Sequence, residues 1–546
     1  MRKRTLEMLD LVIRKGLVID GTGRQRFRAD VAIKDGRIVQ VGEVESSALR
    51  ALDAEGCVVA PGFIDIHSHT DETVLANPTC ESKVTQGVTF ELCGNCGDSA
   101  APRGGEHDLS EYSNWLADLG IEPTWSSTRE FLDKLDAAPK AINFATLVGH
   151  GTIRTTVVGY ENRPPTADEL AAMCRLVEEA MDAGAFGLSS GLVYPPGCYA
   201  QVEELVELSR VAARHDGIYA THMRNEGGTL LEALEEALRI GRESGAGVQI
   251  SHHKACGRSN WGKVKESLAM IDAARAEGSD VCADQYPYVA TCAGLGVMLP
   301  KWAHDGGNRA LLNRLSDAGE RLKIREALLD DTALGWISDL GGWESVVVSS
   351  VRQEQNLFCE GLSVAEIAKR LEKHPVDAAM DLLLDEKGSV GMMHFVINEE
   401  DVRTVMKHPA VLIGSDATAR ALEGPLARGK AHPRAFGTFA RVLGRYVRAE
   451  KLLGLEEAVA KMTGFAARRI SLGDRGTIAQ GNWADVTVFD PNEIADTATF
   501  MRPYGTADGI RFVIVNGRIV LEEGTLTGEM PGRVVRHSRR NLDSTL

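Results

Sequence analysis

The sequence predicts an α/β fold: a (β/α)8 TIM-type barrel with a small composite β-sandwich domain from both chain ends and an insertion between strands seven and eight. Three observations predict it. Eight short apolar segments alternate with helical patterns between about residues 60 and 420, nearly every segment ends in polar residues, and both flanks switch to a period of two.

The eight segments are GFIDIHSH, VTFELCGNCG, INFATLVGHG, AFGLSSGL, GIYATHM, GVQISHH, DVCADQYPY and VLIGSDA. Between them run amphipathic patterns such as TADELAAMCRLVEEAMDAG and LLEALEEALRIGRESGAG, with apolar residues three and four apart. Strands alternating with helices give a parallel sheet, and eight such units close into a barrel. Nearly every strand's C-terminal end carries His, Cys, Asp, Tyr or Gly, on the rim where active sites of such barrels are assembled. The catalytic unit is expected over 61–469. Its stretch 290–400 is too long for a simple connection and is expected to form a lid or insertion, with helical patterns such as SVAEIAKRLEKH. Residues 1–60 and 470–546 alternate with turn signals (VIDGTG, IKDGRIVQVG, IRFVIVNGRIVLEEG) and are expected to pair as one composite β-domain, since neither half buries a core alone.

Composition narrows the functional classes. With 546 residues, 44% hydrophobic and 25% charged, the chain reads as ordinary globular protein. A net charge of −16 argues against nucleic acid and anionic membranes as partners, and no apolar run reaches the length of a membrane span. The start, MRKRTLEMLDLVIRKG, is basic but broken by Glu7, Asp10 and Arg14, unlike a signal peptide. Ten scattered cysteines read as reduced thiols, so a cytoplasmic location is expected. Cys93 and Cys96 form a C-x-x-C, but no second pair or thioredoxin-like context supports a ribbon or redox reading.

The chemistry starts at His67 and His69, two apart on the first strand and so directed to one face. His222 ends strand five and His252 strand six, on the same rim; imidazoles converging there suit a divalent ion such as zinc. His253 follows at once and points the other way, toward packing. Asp416 ends strand eight, where a carboxylate can move a proton between water and a leaving amine.

With His67, His69, His222, His252 and Asp416 in place, the chain resembles the amidohydrolase superfamily. Strand four, AFGLSSGLVY, lacks the metal-bridging lysine of many members, which disfavours hydantoinase-, dihydroorotase- or urease-type sites. The segments GFIDIHSHTDE, GNCG, LVGHGTIR, SSGLVYPPG, THMRNEG, ISHHK, DQYPY and HPRAFGTFARVLGRY are similar, in order, to those of the D-aminoacylase (N-acyl-D-amino-acid deacylase) branch. That resemblance implies one tightly bound Zn2+ on Cys96, His222 and His252, a second, weaker position at His67 and His69, and Asp416 as acid/base. It implies amide hydrolysis of N-acyl-D-amino acids to a carboxylic acid and a D-amino acid, with Lys254, Arg434, Tyr286 and Tyr194 as substrate-binding residues. The small-molecule N-acyl amino acid is then the expected partner, and an oligomer is compatible with the sequence. The rivals are a cyclic-amide hydrolase, an acylated-peptide or lactone hydrolase using the same site, and a non-catalytic scaffold of the same fold. The loop 417–433 is longer than in the branch and adds Arg420, Arg428 and Lys430; these cations either favour acidic side chains such as D-Asp or D-Glu or decorate a longer loop.

Overall fold

The computed structural model describes residues 8–104, 115–330 and 340–538. The outermost ends of the expected composite domain, 1–7 with the basic start and 539–546, lie outside the described residues, as do 331–339 of the expected insertion. The fold is mixed α/β.

All eight expected segments contain strands. β1 (Phe63–Asp65), β2 (Val88–Cys93) and β3 (Asn143–Thr146, resumed after Leu147 as Val148–Gly149) lie side by side and parallel. The resumed part of β3 pairs with β4 (Gly187–Gly191), followed in parallel by β5 (Ile218–His222), β6 (Gly247–Ile250), β7 (Val281–Gln285) and β8 (Val411–Ile413). A parallel bridge joins Ser68, just past β1, to Ala417, just past β8. The strands are almost wholly buried, which is why they read as apolar runs rather than alternating ones.

The helices between them carry their own start and stop signals. Ala167–Ala183 opens on a capping box in which Thr166 and Glu169 satisfy each other's backbone N–H, and stops at Gly184, whose φ of 106° suits glycine alone. Its Met173, Val177, Ala180 and Met181 are buried against the sheet side.

Between β7 and β8, Thr291–Gly294, Val346–Ser350 and Gly391–His394 form a separate antiparallel sheet with Gly391–His394 in the middle. Helices Gly307–Ser316, Val364–Arg370 and Pro375–Asp385 pack with it around a core that includes Leu311, Ile367, Met380 and Leu383. The strands near the two ends join in one nine-stranded sheet, in which Val58–Pro61 runs antiparallel to Val486–Phe489. Among the described residues no helix is long and apolar enough to cross a membrane.

One buried charge cluster fastens β1, β2 and β8 together. Lys83 Nζ lies 2.7 Å from both Asp65 Oδ2 and Glu91 Oε1 and donates to Ser415 Oγ at 2.9 Å and Ala417 O at 2.8 Å. Asp65 Oδ1 accepts the backbone N–H of Ser415 at 2.8 Å. All three charged side chains are fully buried; burial alone would lower the Lys83 pKa, and Asp65 and Glu91 hold it well above the usual lysine range. Lys83→Met strands two buried carboxylates, so equilibrium denaturation is expected to show a loss of about 3–5 kcal/mol; a loss below about 1 kcal/mol, the value of a surface pair, would count against this fastening.

Candidate metal centre

The side chains that gather at the C-terminal ends of the parallel strands do so through unusual backbone. Cys96 (φ 52°), His252 (φ 36°) and Asp416 (φ 52°) all sit in the left-handed region, a conformation that costs a non-glycine residue on the order of 1 kcal/mol and persists where surrounding structure enforces it. For Cys96 the enforcement is visible. Ser189 Oγ on β4 accepts the backbone N–H of Gly97 at 3.0 Å and donates to Gly94 O. A Cβ on Gly191 would lie 2.0 Å from Cys96 O, so the loop after β2 rests on bare β4 backbone. Ser189 and Gly191 of β4, GLSSG, therefore hold the Cys96 loop, and no residue of the strand is a lysine.

Two donor groups converge. His67, His69, Cys96 and Asp416 form one; Cys96, His222 and His252 form the other; within each, the donor atoms lie within 4.8 Å of one another. Cys96 belongs to both. Its Sγ is 3.4 Å from His67 Nε2 and 3.4 Å from His252 Nε2. A tetrahedral zinc with Zn–S near 2.3 Å and Zn–N near 2.05 Å separates its sulfur and nitrogen ligands by about 3.5 Å. The spacing and the thiol–imidazole donor set both fit zinc. Burial pushes the Cys96 thiol up, but His67 and His252 outweigh it and hold its pKa well below the usual cysteine range, toward the thiolate that binds metal.

Carboxylates behind the imidazoles set their orientation. His67 Nδ1 donates to Asp284 Oδ1 at 2.9 Å, which leaves Nε2 facing Cys96. The same Oδ1 accepts the backbone N–H of His252 at 2.8 Å, and Oδ2 accepts from Gln249 Nε2 at 2.8 Å. Glu226 Oε1 lies 3.0 Å from His252 Nδ1 and 2.5 Å from Lys254 Nζ, and Oε2 is 3.7 Å from His222 Nε2. Lys254 Nζ is also 2.8 Å from His252 Nδ1. That nitrogen cannot both accept from Lys254 and donate to Glu226; the tautomer that turns Nε2 toward a metal is the one donating to Glu226.

Asp416 faces the group from β8. Its Oδ1 is 3.0 Å from His69 Nε2 and 3.4 Å from His67 Nε2, and its Oδ2 accepts from Arg434 Nη1 at 2.6 Å. Burial works against its charge, yet Arg434, with His252 and His67, holds the carboxyl well below the usual carboxylate range. His253, as its place in the sequence predicts, turns away and meets Ser267 Oγ at 2.8 Å; burial pushes its pKa down to about 4.

A family model described as amidohydrolase family matches residues 50–521. The chain belongs to the amidohydrolase family. It is 38% identical over 531 residues to the N-acyl-D-glutamate deacylase of Alcaligenes xylosoxydans xylosoxydans, with 97% of each chain covered. It is also 38% identical over 536 residues to the D-aminoacylase of the same organism, covering 98% of this chain and 99% of that one. The crystal structure of the Bordetella bronchiseptica N-acyl-D-glutamate deacylase, complexed with zinc and a phosphonate mimic of the tetrahedral intermediate, matches with a TM-score of 0.82 at 36% identity, covering 97% of this chain and all of that one.

The four substrate-side positions expected from the sequence surround this amidohydrolase's donor groups. Tyr194 stands edge-on to His222, with ring centroids 4.9 Å apart. Tyr286 has both cations near its ring: the Arg434 guanidinium is 4.7 Å and Lys254 Nζ 5.7 Å from its centre. Among the described residues its buried hydroxyl has no hydrogen-bond partner. Both cations are engaged internally, Arg434 by Asp416 and Lys254 by Glu226. Sequence reasoning did not single out Asp284 or Glu226. Asp284 was within reach, since it sits near the polar end of β7; Glu226 lies in the loop four residues past His222, where no strand or helix period marks it.

Proposed function

We propose that this protein hydrolyses the amide bond of N-acyl-D-amino acids to a carboxylic acid and a free D-amino acid, with Cys96, His222 and His252 holding the firmer zinc ion and His67 and His69 a second, weaker position. The observation that carries this reading is the place of Cys96 Sγ in both donor groups, equally distant from His67 Nε2 and His252 Nε2. A thiolate there would supply the negative charge for which β4 offers no lysine. The deacylase relatives support the substrate class.

When bound, zinc supplies Lewis-acid polarisation of the acyl carbonyl and acidifies water. The chain's own residues do the rest. Asp416, ionised and held by Arg434, takes the proton from the attacking water and passes it to the departing amino nitrogen. The Tyr286 hydroxyl donates to a substrate oxygen, and Arg434 and Lys254, both near its ring, draw the α-carboxylate toward it. Tyr194 packs beside His222 and closes the pocket there.

In this reading the parallel strands form a closed (β/α)8 ring, a closure supported by the Ser68–Ala417 bridge between the ends of β1 and β8. The ring spans 61–469 with 290–400 as its insertion, and 1–60 with 470–546 as the composite β-domain. Ten free cysteines fit a reducing, cytoplasmic setting. The test is a panel of N-acetyl-D-amino acids, N-acetyl-L-amino acids, hydantoin and dihydrouracil. Turnover of the D series alone is expected, lost after stripping with a chelator and restored by zinc. Turnover confined to L substrates or to the rings would overturn the assignment.

A further inference from the structure

The deacylase reading leaves the side-chain preference open, and the loop after β8 bears on it. That loop is stitched to the chain after β1: Thr418 Oγ1 donates to His69 O at 3.0 Å, the Ala419 N–H to Thr70 Oγ1 at 3.0 Å, and the Arg420 N–H to Ser82 Oγ at 2.8 Å. Ser82 returns its own N–H to Arg420 O at 3.2 Å, and the Leu422 N–H reaches Glu81 Oε2 at 2.7 Å. The backbone of Arg420 is thus pinned on both sides, four residues beyond Asp416.

Its side chain is half-buried, and among the described residues the guanidinium has no hydrogen bond or ion pair. This sets it apart from the other cations of the site, since Arg434 is met by Asp416 at 2.6 Å and Lys254 by Glu226 at 2.5 Å. Its position is marked by Cys292, on the strand Thr291–Gly294. Burial pushes the Cys292 thiol up, while Arg434 and Arg420 both pull it down and Asp416 adds to the rise. Arg420 therefore shares one neighbourhood with Arg434, Asp416 and Cys292, on the side where the insertion borders the site. It also lies near Tyr504, whose hydroxyl donates to Arg428 O at 2.6 Å. Arg428 itself is exposed.

An N-acyl-D-amino acid with an acidic side chain carries two carboxylates. Placing its amide at the donor groups and its α-carboxylate at Arg434 and Tyr286 leaves the side chain to project from the same centre. We infer that Arg420 receives that side-chain carboxylate and makes N-acyl-D-amino acids with acidic side chains the preferred substrates. A guanidinium carried on a pinned backbone and lacking an internal carboxylate offers bidentate recognition without first breaking an ion pair. This inference rests on the deacylase reading and deepens it.

The test compares kcat/KM for N-acetyl-D-glutamate, N-acetyl-D-aspartate and N-acetyl-D-leucine in the zinc-loaded wild type, Arg420→Ala and Arg420→Lys. The wild type is expected to prefer an acidic substrate. In Arg420→Ala the acidic-to-neutral ratio is expected to fall roughly 10- to 100-fold, the scale of one charge-assisted hydrogen-bonded contact, mainly through KM. Arg420→Lys is expected to restore part of it. Zinc content, measured alongside, checks that the site remains assembled. A ratio unchanged in Arg420→Ala, or a wild type that prefers the leucine substrate, overturns the role of Arg420 while leaving the deacylase reading in place. No turnover of any D substrate by the zinc-loaded wild type overturns the deacylase reading and this inference with it.

Discussion

Asp416→Asn is expected to lower kcat by roughly 10²- to 10⁴-fold, the usual contribution of a positioned general acid–base group, while zinc content stays at the wild-type level. The two halves of that result come from different atoms. Asparagine keeps the shape of the side chain, and the Cys96, His222 and His252 donors do not depend on it. What is lost is a group that can carry a proton. Asp416 Oδ1 is the oxygen that faces His67 and His69, whereas Oδ2 is bound to Arg434. Metal analysis and steady-state kinetics on one preparation check the expectation. Turnover within a factor of three of wild type would remove Asp416 from the proton path.

Cys96→Ala is expected to have the opposite signature, abolishing turnover through loss of the ion. The substitution removes the one donor atom common to both groups, so neither retains its thiolate. Zinc that binds only the folded protein stabilises it by about 2.7 kcal/mol at a free concentration one hundred times Kd. The wild type is therefore expected to melt at a higher temperature when zinc is added, and Cys96→Ala to show little of that rise and to lose its zinc on dialysis. A variant that keeps full stoichiometry and the full thermal shift would show that the imidazoles and Asp416 suffice without the thiolate.

The strands were legible in the sequence because each is buried on both faces and ends in polar residues; GFIDIHSH and GVQISHH announce strand and rim together. The histidine donors and Asp416 could be read for the same reason. Cys96 was placed as a ligand only by resemblance, since its position depends on a left-handed turn seated on β4, and no local pattern encodes a loop leaning on a strand about ninety residues away. Glu226 and Asp284 were missed because their value lies in what they hold. Each is an ordinary acidic residue until the imidazole beside it is known. The loop 417–433 stood out as unusually cationic, but the seams that pin the backbone of Ala419 and Arg420 to Thr70 and Ser82 could not be read from it.

The nine-stranded sheet has a consequence for synthesis. Val58–Pro61 finds its antiparallel partner, Val486–Phe489, more than 400 residues later. At 5–20 residues per second, the first strand waits roughly 20 to 90 s on the ribosome before its pairing edge can be covered. In that interval the parallel units can dock in order of emergence, each against the last, while the edge of Val58–Pro61 that faces Val486–Phe489 stays uncovered, its other edge already paired with Leu17 and Val18. This sheet is thus the last part to be completed and open to misassociation meanwhile, and yields on overexpression should answer more to slowed elongation or added chaperone than to any change at the metal centre.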